Sequence, residues 1–141
     1  MTAPSSSTRV LFVCIENANR SQMAQAFARL HGGPTVEAHS AGSNPSGQIN
    51  AKAVEAMREL GYDLNTHESK SLADIPDVEY DVVVSMGCGD ACPSVRAVRR
   101  EDWNIPDPKE FSPERFREVR DLIEAKVKDL LAGLRIQRGA V

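Results

Sequence analysis

Apolar residues recur along the chain with two different periods. Val10-Leu11-Phe12-Val13 is a short unbroken run, β-branched and aromatic, as expected of a strand covered on both faces in a parallel sheet. After the next eight residues, Met23, Ala24, Phe27, Ala28 and Leu30 return at helical spacing and predict a helix over 22–30, stopped by His31-Gly32-Gly33-Pro34. Residues 36–40 read as a second strand and 41–47 as a polar, turn-rich loop. Ala53, Val54, Met57 and Leu60 share one face of a helix over 50–60, with Asn50 as N-cap and Gly61 as C-cap. A connecting stretch with one or two short turns follows over 62–72, then a third strand over 80–86. Residues 95–99 suggest a helical turn and 101–105 a short fourth strand. A long helix over 113–134 carries Phe116, Val119, Leu122, Ile123, Val127, Leu130 and Leu131 in one stripe. Strands alternating with helices predict an α/β fold with parallel strands. Right-handed crossovers make the first and third strands neighbours, so their C-terminal loops gather at one sheet edge.

Composition narrows the functional classes. A chain of 141 residues, 41% hydrophobic and 26% charged, suits one domain with a real core. Its formal net charge of -3 gives no case for nucleic acid or an anionic membrane, and no apolar run approaches the ~20 residues that span a bilayer. Residues 1–8 have neither a basic start nor an apolar stretch, so they read as a disordered leader; 135–141 are expected to fray, and a cytoplasmic protein is expected. Three cysteines do not make a structural disulfide framework there; an odd count with one close pair suits a nucleophile plus two redox partners. Zinc is the rival for the C-x3-C pair Cys88 and Cys92. His31, His39 and His67 have no ligand spacing relative to it, so no metal is expected.

The chemistry centres on Cys14-Ile15-Glu16-Asn17-Ala18-Asn19-Arg20-Ser21, between the first strand and the first helix. Such a turn wraps backbone N–H groups in front of a helix N-terminus, where unsatisfied amides and the macrodipole favour an oxyanion. Cys14 sits beneath that field, which favours thiolate over thiol. Ser21 can point a hydroxyl back at the sulfur, and Arg20 supplies a planar fork for two oxygens of a phosphate-like group. The spacing C-x5-R-S thus describes a nucleophile in an oxyanion cradle running from Cys14 through Ile15, Glu16, Asn17, Ala18 and Asn19 to Arg20. The plainer alternative is that Cys14 is one more small buried hydrophobe. His67, which nothing beside it marks as part of a site, reads as a packed or surface histidine rather than a general base.

Residues 10–27 resemble the phosphate-binding loop of the low-molecular-weight protein tyrosine phosphatase superfamily. Arg20-Ser21-Gln22-Met23-Ala24-Gln25-Ala26-Phe27, Ser40-Ala41-Gly42 and residues 49–64 resemble its arsenate reductase branch. The resemblance implies a single three-layer domain over 9–134, with a four-stranded parallel sheet of order 2-1-3-4 flanked by helices. It implies that Asn17 holds the loop in shape and that Ser40 supports it, where the plain reading of Ser40 is a strand terminator. It also makes Asp107, between Pro106 and Pro108, the acid that protonates a leaving oxygen, where the plain reading is a turn-forming Asp-Pro. Asn19 stands where many relatives carry cysteine, and Gln25 where some carry an acidic residue linked to a potassium site.

The cysteine pair separates the reactions. In the reductase that the resemblance implies, Cys14 takes arsenate, Cys88 attacks and displaces arsenite, and Cys92 resolves the Cys14–Cys88 disulfide. No cofactor is bound; the reductant is an external dithiol, thioredoxin, with glutaredoxin or a small thiol as the other candidates. Phosphate and sulfate are the competing anions. A phosphatase working through a Cys14 phosphoenzyme would need only Cys14, Arg20, Ser21 and Asp107. However, Lys109-Glu110 follows the Asp-Pro where phosphotyrosine-directed members carry aromatic residues. A non-enzymatic oxyanion or redox sensor is the third reading.

Overall fold

The structure, a computed structural model, describes residues 8–86 and 95–139. Strand β1 (Thr8–Cys14) leads into helix α1 (Arg20–Gly32), followed by β2 (Val36–Gly42), α2 (Ala51–Arg58), β3 (Tyr80–Ser85), β4 (Ala97–Asp102) and α3 (Pro113–Gly139). The strands form one sheet in the order β2-β1-β3-β4, every neighbouring pair parallel. The expected 2-1-3-4 arrangement is therefore the one observed.

β1 is central, which explains its unbroken apolar run. Val10, Phe12 and Cys14 face a core built with Met23 and Phe27 of α1, Met57 of α2 and Phe116, Ile123 and Val127 of α3. Leu11 and Val13 face the opposite layer with Ala41, Tyr80 and Val83. Among the described residues, that second face is covered by irregular chain carrying Leu72, Ile75, Val78 and Val95, with a single 3-10 turn at Leu72–Asp74, while α1 and α2 both pack on α3. No described helix is long and apolar enough to cross a membrane.

Several boundaries differ from the sequence reading. Thr8, expected in the leader, is the buried first residue of β1 and pairs with Val36. α1 begins two residues earlier than its apolar spacing marks, and β2 runs on to Gly42. Asn50 caps α2 as expected, its side chain accepting from the Lys52 amide, and Gly61 takes φ +84 after the helix. The helical turn expected over 95–99 is instead mostly β4, which also replaces the strand expected over 101–105. As an edge strand it alternates charged residues on both faces, which hides the period: Arg99 and Glu101 point the same way and pair at 2.8 Å, while Val98 and Arg100 face out. α3 continues to Gly139, past the expected end at residue 134, and Leu122 of its expected stripe is exposed, as are Leu30 and Leu60.

Candidate active site

The five residues joining β1 to α1 are held entirely from outside. Every carbonyl from Cys14 to Asn19 accepts a hydrogen bond: Cys14 O from the Ser43 amide (3.3 Å), Ile15 O from Asn44 (2.8 Å), Glu16 O from Ser46 (3.1 Å) and the Ser69 hydroxyl (3.0 Å), Asn17 O from Gln22 Nε2 (3.0 Å), Ala18 O from Asn50 (3.1 Å) and Asn19 O from Met23 (3.0 Å). A trans peptide holds N–H opposite to C=O, so the amides of residues 16–20 are turned away from those partners and left for a ligand. Asn17 adopts φ +52 to make this turn, a left-handed conformation that asparagine tolerates better than most residues. Gly42 lets the loop lie directly on β2: a Cβ there would stand 2.5 Å from the Ile15 carbonyl oxygen.

A directed set of hydrogen bonds ends on the sulfur. The Lys70 amide can only donate, and it meets Asn17 Oδ1 at 2.9 Å. Asn17 therefore offers Nδ2 to Ser21 Oγ at 2.8 Å, which leaves the Ser21 O–H free to point at Cys14 Sγ, 2.9 Å away. Gln22 Nε2 gives one N–H to the Glu68 carbonyl (2.8 Å) and shares the other between Asn17 O and Oδ1 (3.0 and 2.9 Å), so its Oε1 accepts from His67 Nδ1 at 2.9 Å. That places the histidine proton on Nδ1 and lets Nε2 accept from Tyr62 Oη (2.6 Å) and Arg29 Nη1 (3.3 Å). Burial, then the Arg29 and Lys70 charges, push His67 down to about 4, consistent with the neutral ring. Cys14 itself is buried, 3% exposed, in the helix-side core.

Arg20 and Asp107 stand at the other side of the cradle. Arg20 is buried; its Nη1 donates to the Ile105 carbonyl at 3.0 Å, which aims the guanidinium, and Nη2 lies 4.0 Å from Asp107 Oδ2. Asp107 Oδ1 accepts from the Lys109 amide at 3.1 Å, leaving a half-exposed carboxylate held at the mouth. Lys109 Nζ in turn reaches Glu16 Oε2 at 3.4 Å, tying the segment after β4 to the loop.

The sequence-predicted set is thus largely brought together: Cys14, Ser21, Asn17, Arg20 and Asp107 converge on one cradle. Cys88 and Cys92 lie outside the described residues. Ser40 is fully buried, but its hydroxyl donates to Gln25 Oε1 on α1 at 2.6 Å rather than to the loop, and Gln25 Nε2 reaches Ala38 O at 3.3 Å. Asn19, at the head of α1, makes no capping bond, and its buried Oδ1 has no partner among the described residues. Gln22, His67, Lys70 and Gly42 were missed as loop supports. The one available signal was Gln22, a polar residue at a helix position now seen to be fully buried. Among the described residues no three His, Cys, Asp or Glu side chains cluster as metal ligands.

The family model for low molecular weight phosphotyrosine protein phosphatase matches residues 9–139. The chain belongs to that family. Within it, the glutaredoxin arsenate reductase of Synechocystis is 35% identical over 127 residues, covering 88% of this chain and 96% of the relative. A solved arsenate reductase in its phosphate-binding state superposes with TM-score 0.82 at 36% identity, over 89% of this chain and 98% of the other. The thioredoxin-dependent arsenate reductase of Corynebacterium glutamicum gives TM-score 0.79 at 30% identity, over 94% of this chain and 64% of the other.

Proposed function

We propose that the protein reduces arsenate to arsenite. The observation that carries this reading is the cradle: six consecutive carbonyls tied outward, a guanidinium aimed from Arg20, and a sulfur that receives the Ser21 O–H at 2.9 Å. The likeness to arsenate reductases across nearly the whole chain supports the substrate. The Cys14 thiolate attacks As(V) while Asp107 protonates the departing oxygen, which leaves as water. The amides of residues 16–20 and the Arg20 fork hold the remaining oxygens.

Reduction then needs a second sulfur. The Cys88 thiolate attacks Cys14 Sγ; the new S–S bond forms as the S–As electron pair passes to arsenic, releasing arsenite. Cys92 attacks Cys88, frees Cys14 and leaves a Cys88–Cys92 disulfide for an external dithiol. Thioredoxin is the proposed donor, in line with the Corynebacterium relative, and glutaredoxin is the alternative that the Synechocystis relative represents. Phosphate and sulfate should compete for the cradle.

A phosphatase is the second reading, because Cys14, Ser21, Arg20 and Asp107 would suffice for a phosphoenzyme that water hydrolyses. Phosphotyrosine finds little support here: Phe111, the first aromatic after Asp107 in sequence, is packed on the core and covered by Arg115 at 3.9 Å. The test is arsenite release with thioredoxin, its reductase and NADPH, run beside p-nitrophenyl phosphate. Sustained arsenite release by wild type, single turnover by Cys92→Ser and none by Cys88→Ser are expected. Multiple turnover by Cys92→Ser would remove that residue from the relay, and ester cleavage without arsenite release would leave the phosphatase.

A further inference from the structure

Beside the segment that grips Asn17 lies a second cavity of about 520 Å³, lined in part by Gln25, Arg29, His67, Glu68, Ser69 and Lys70. Two cations, Arg29 and Lys70, meet there, and the carboxylates of Glu68 and Asp74 also line it. Among the described residues neither Arg29 nor Lys70 takes part in an ion pair. Arg29 spends one N–H on His67 Nε2, and Lys70 Nζ reaches the Glu68 carbonyl at a long 3.4 Å, so most of their donors are unused. Burial and then Arg29 push the Lys70 ammonium below its usual range, more strongly than Glu68 and Asp74 raise it. Asp74 is already engaged, accepting from the Ser71 amide and hydroxyl at 3.1 Å each.

We propose that this cavity binds a small tetrahedral dianion, a free phosphate or sulfate, between the Arg29 guanidinium and the Lys70 ammonium, as a site separate from the Cys14 cradle. A dianion there relieves the repulsion between them and is contacted by donors left unused among the described residues. The site is wired to the loop, since the Lys70 amide holds Asn17 Oδ1 and His67 holds Gln22. Occupancy should therefore steady residues 67–70 and, through Asn17, the cradle.

Sulfate titration of the full chain, by calorimetry and by amide NMR, tests this independently of arsenate turnover. Wild type should bind two sulfates. Arg20→Ala, which removes the guanidinium of the cradle, should retain one, with shifts at residues 66–70. Arg29→Gln with Lys70→Met should lose that site and keep the cradle one, whereas Arg29→Lys, which keeps the charge, should retain both. Thermal melts identify any variant that has simply unfolded, and the remaining variant then decides. Two sulfates on folded Arg29→Gln/Lys70→Met, or an Arg20→Ala protein that binds none and shows unmoved 66–70 amides, would overturn the proposal. Phosphoserine binding here more tightly than inorganic phosphate would assign the site to a partner's phosphorylated side chain and overturn the free-ion assignment.

Discussion

His67 Nδ1 lies 2.9 Å from Gln22 Oε1, joining residues 45 apart in sequence, and the bond exists only with the imidazole proton on Nδ1. The other ring nitrogen faces Tyr62 Oη and the positively charged Arg29, so a second proton is unwelcome. The pairing makes stability depend on pH. Unfolded, the ring takes up a proton near pH 6.5; folded, it resists until about 4. Below pH 6.5 the unfolded state therefore binds more protons. The contribution is fully present above that value and is lost as pH falls toward 4, a change of roughly 2 kcal/mol once solvent screening is allowed for. Urea midpoints measured from pH 7 to 4 should fall for wild type, and the fall should be shallower for His67→Gln, which has no proton to take up.

Ser21→Ala removes the O–H directed at Cys14. A hydrogen bond to a charged group contributes about 1.5–3 kcal/mol, so the thiolate should be less favoured and Cys14 alkylation near neutral pH slower by roughly tenfold or more. The measurement is iodoacetamide alkylation of Cys14 against pH, with Cys88 and Cys92 replaced by serine. An unmoved alkylation profile would show that the 2.9 Å contact does not stabilise the thiolate.

Gly42→Ala should displace the cradle from a neighbouring strand. The new methyl would sit 2.5 Å from Ile15 O and 3.0 Å from the Asn17 amide, both backbone atoms that cannot swing aside. Oxyanion affinity should drop about tenfold or more, the equivalent of ~1.4 kcal/mol. Gly133→Ala is the control: nothing lies within 4 Å of its added Cβ, and a helix interior gains about 0.5–1 kcal/mol from the change. Sulfate titration and thermal melts of the two variants separate loop displacement from general damage.

Asp107→Asn keeps the turn and the bond to the Lys109 amide but cannot deliver a proton. If it is the acid, hydrolysis of p-nitrophenyl phosphate should fall by about 10²–10⁴, the usual contribution of general acid catalysis, while melting changes little because the side chain is half-exposed. Equal rates in the two proteins would return Asp107 to the role of a turn residue.

Gln22→Met should cut the loop's support from both sides. It would leave His67 Nδ1 and Asn17 O without partners in a fully buried setting, at a cost of about 2–3 kcal/mol. Cys14 alkylation should slow as well, because Asn17 then orients Ser21 less firmly; urea melts and alkylation rates report the two effects separately.

Legibility followed the range of each interaction. The β1 run and most of the α1 and α2 faces were readable because burial on a central strand or one helix face writes a period into neighbouring residues, the Asn50 cap because capping is local, and the strand order through the family resemblance. β4 was misread because an edge strand can carry charge on both faces: Arg99 and Glu101 neutralise each other and the alternation disappears. Leu122 was misplaced because periodicity does not say where a helix stripe ends against its neighbour.

The amino-acid order alone determined that a cysteine, an arginine and a serine share one strand-to-helix turn, since that spacing is local and the chemistry of each side chain travels with it. Folding decided what holds the turn in shape. Gly42, His67 and the Lys70 amide come from 21 to 56 residues beyond Ser21 and Cys14, and hydrogen-bond direction depends on which atoms face each other in space. Ser40 shows the same limit from the other side: the family resemblance assigned it to the loop, while packing gave its hydroxyl to Gln25.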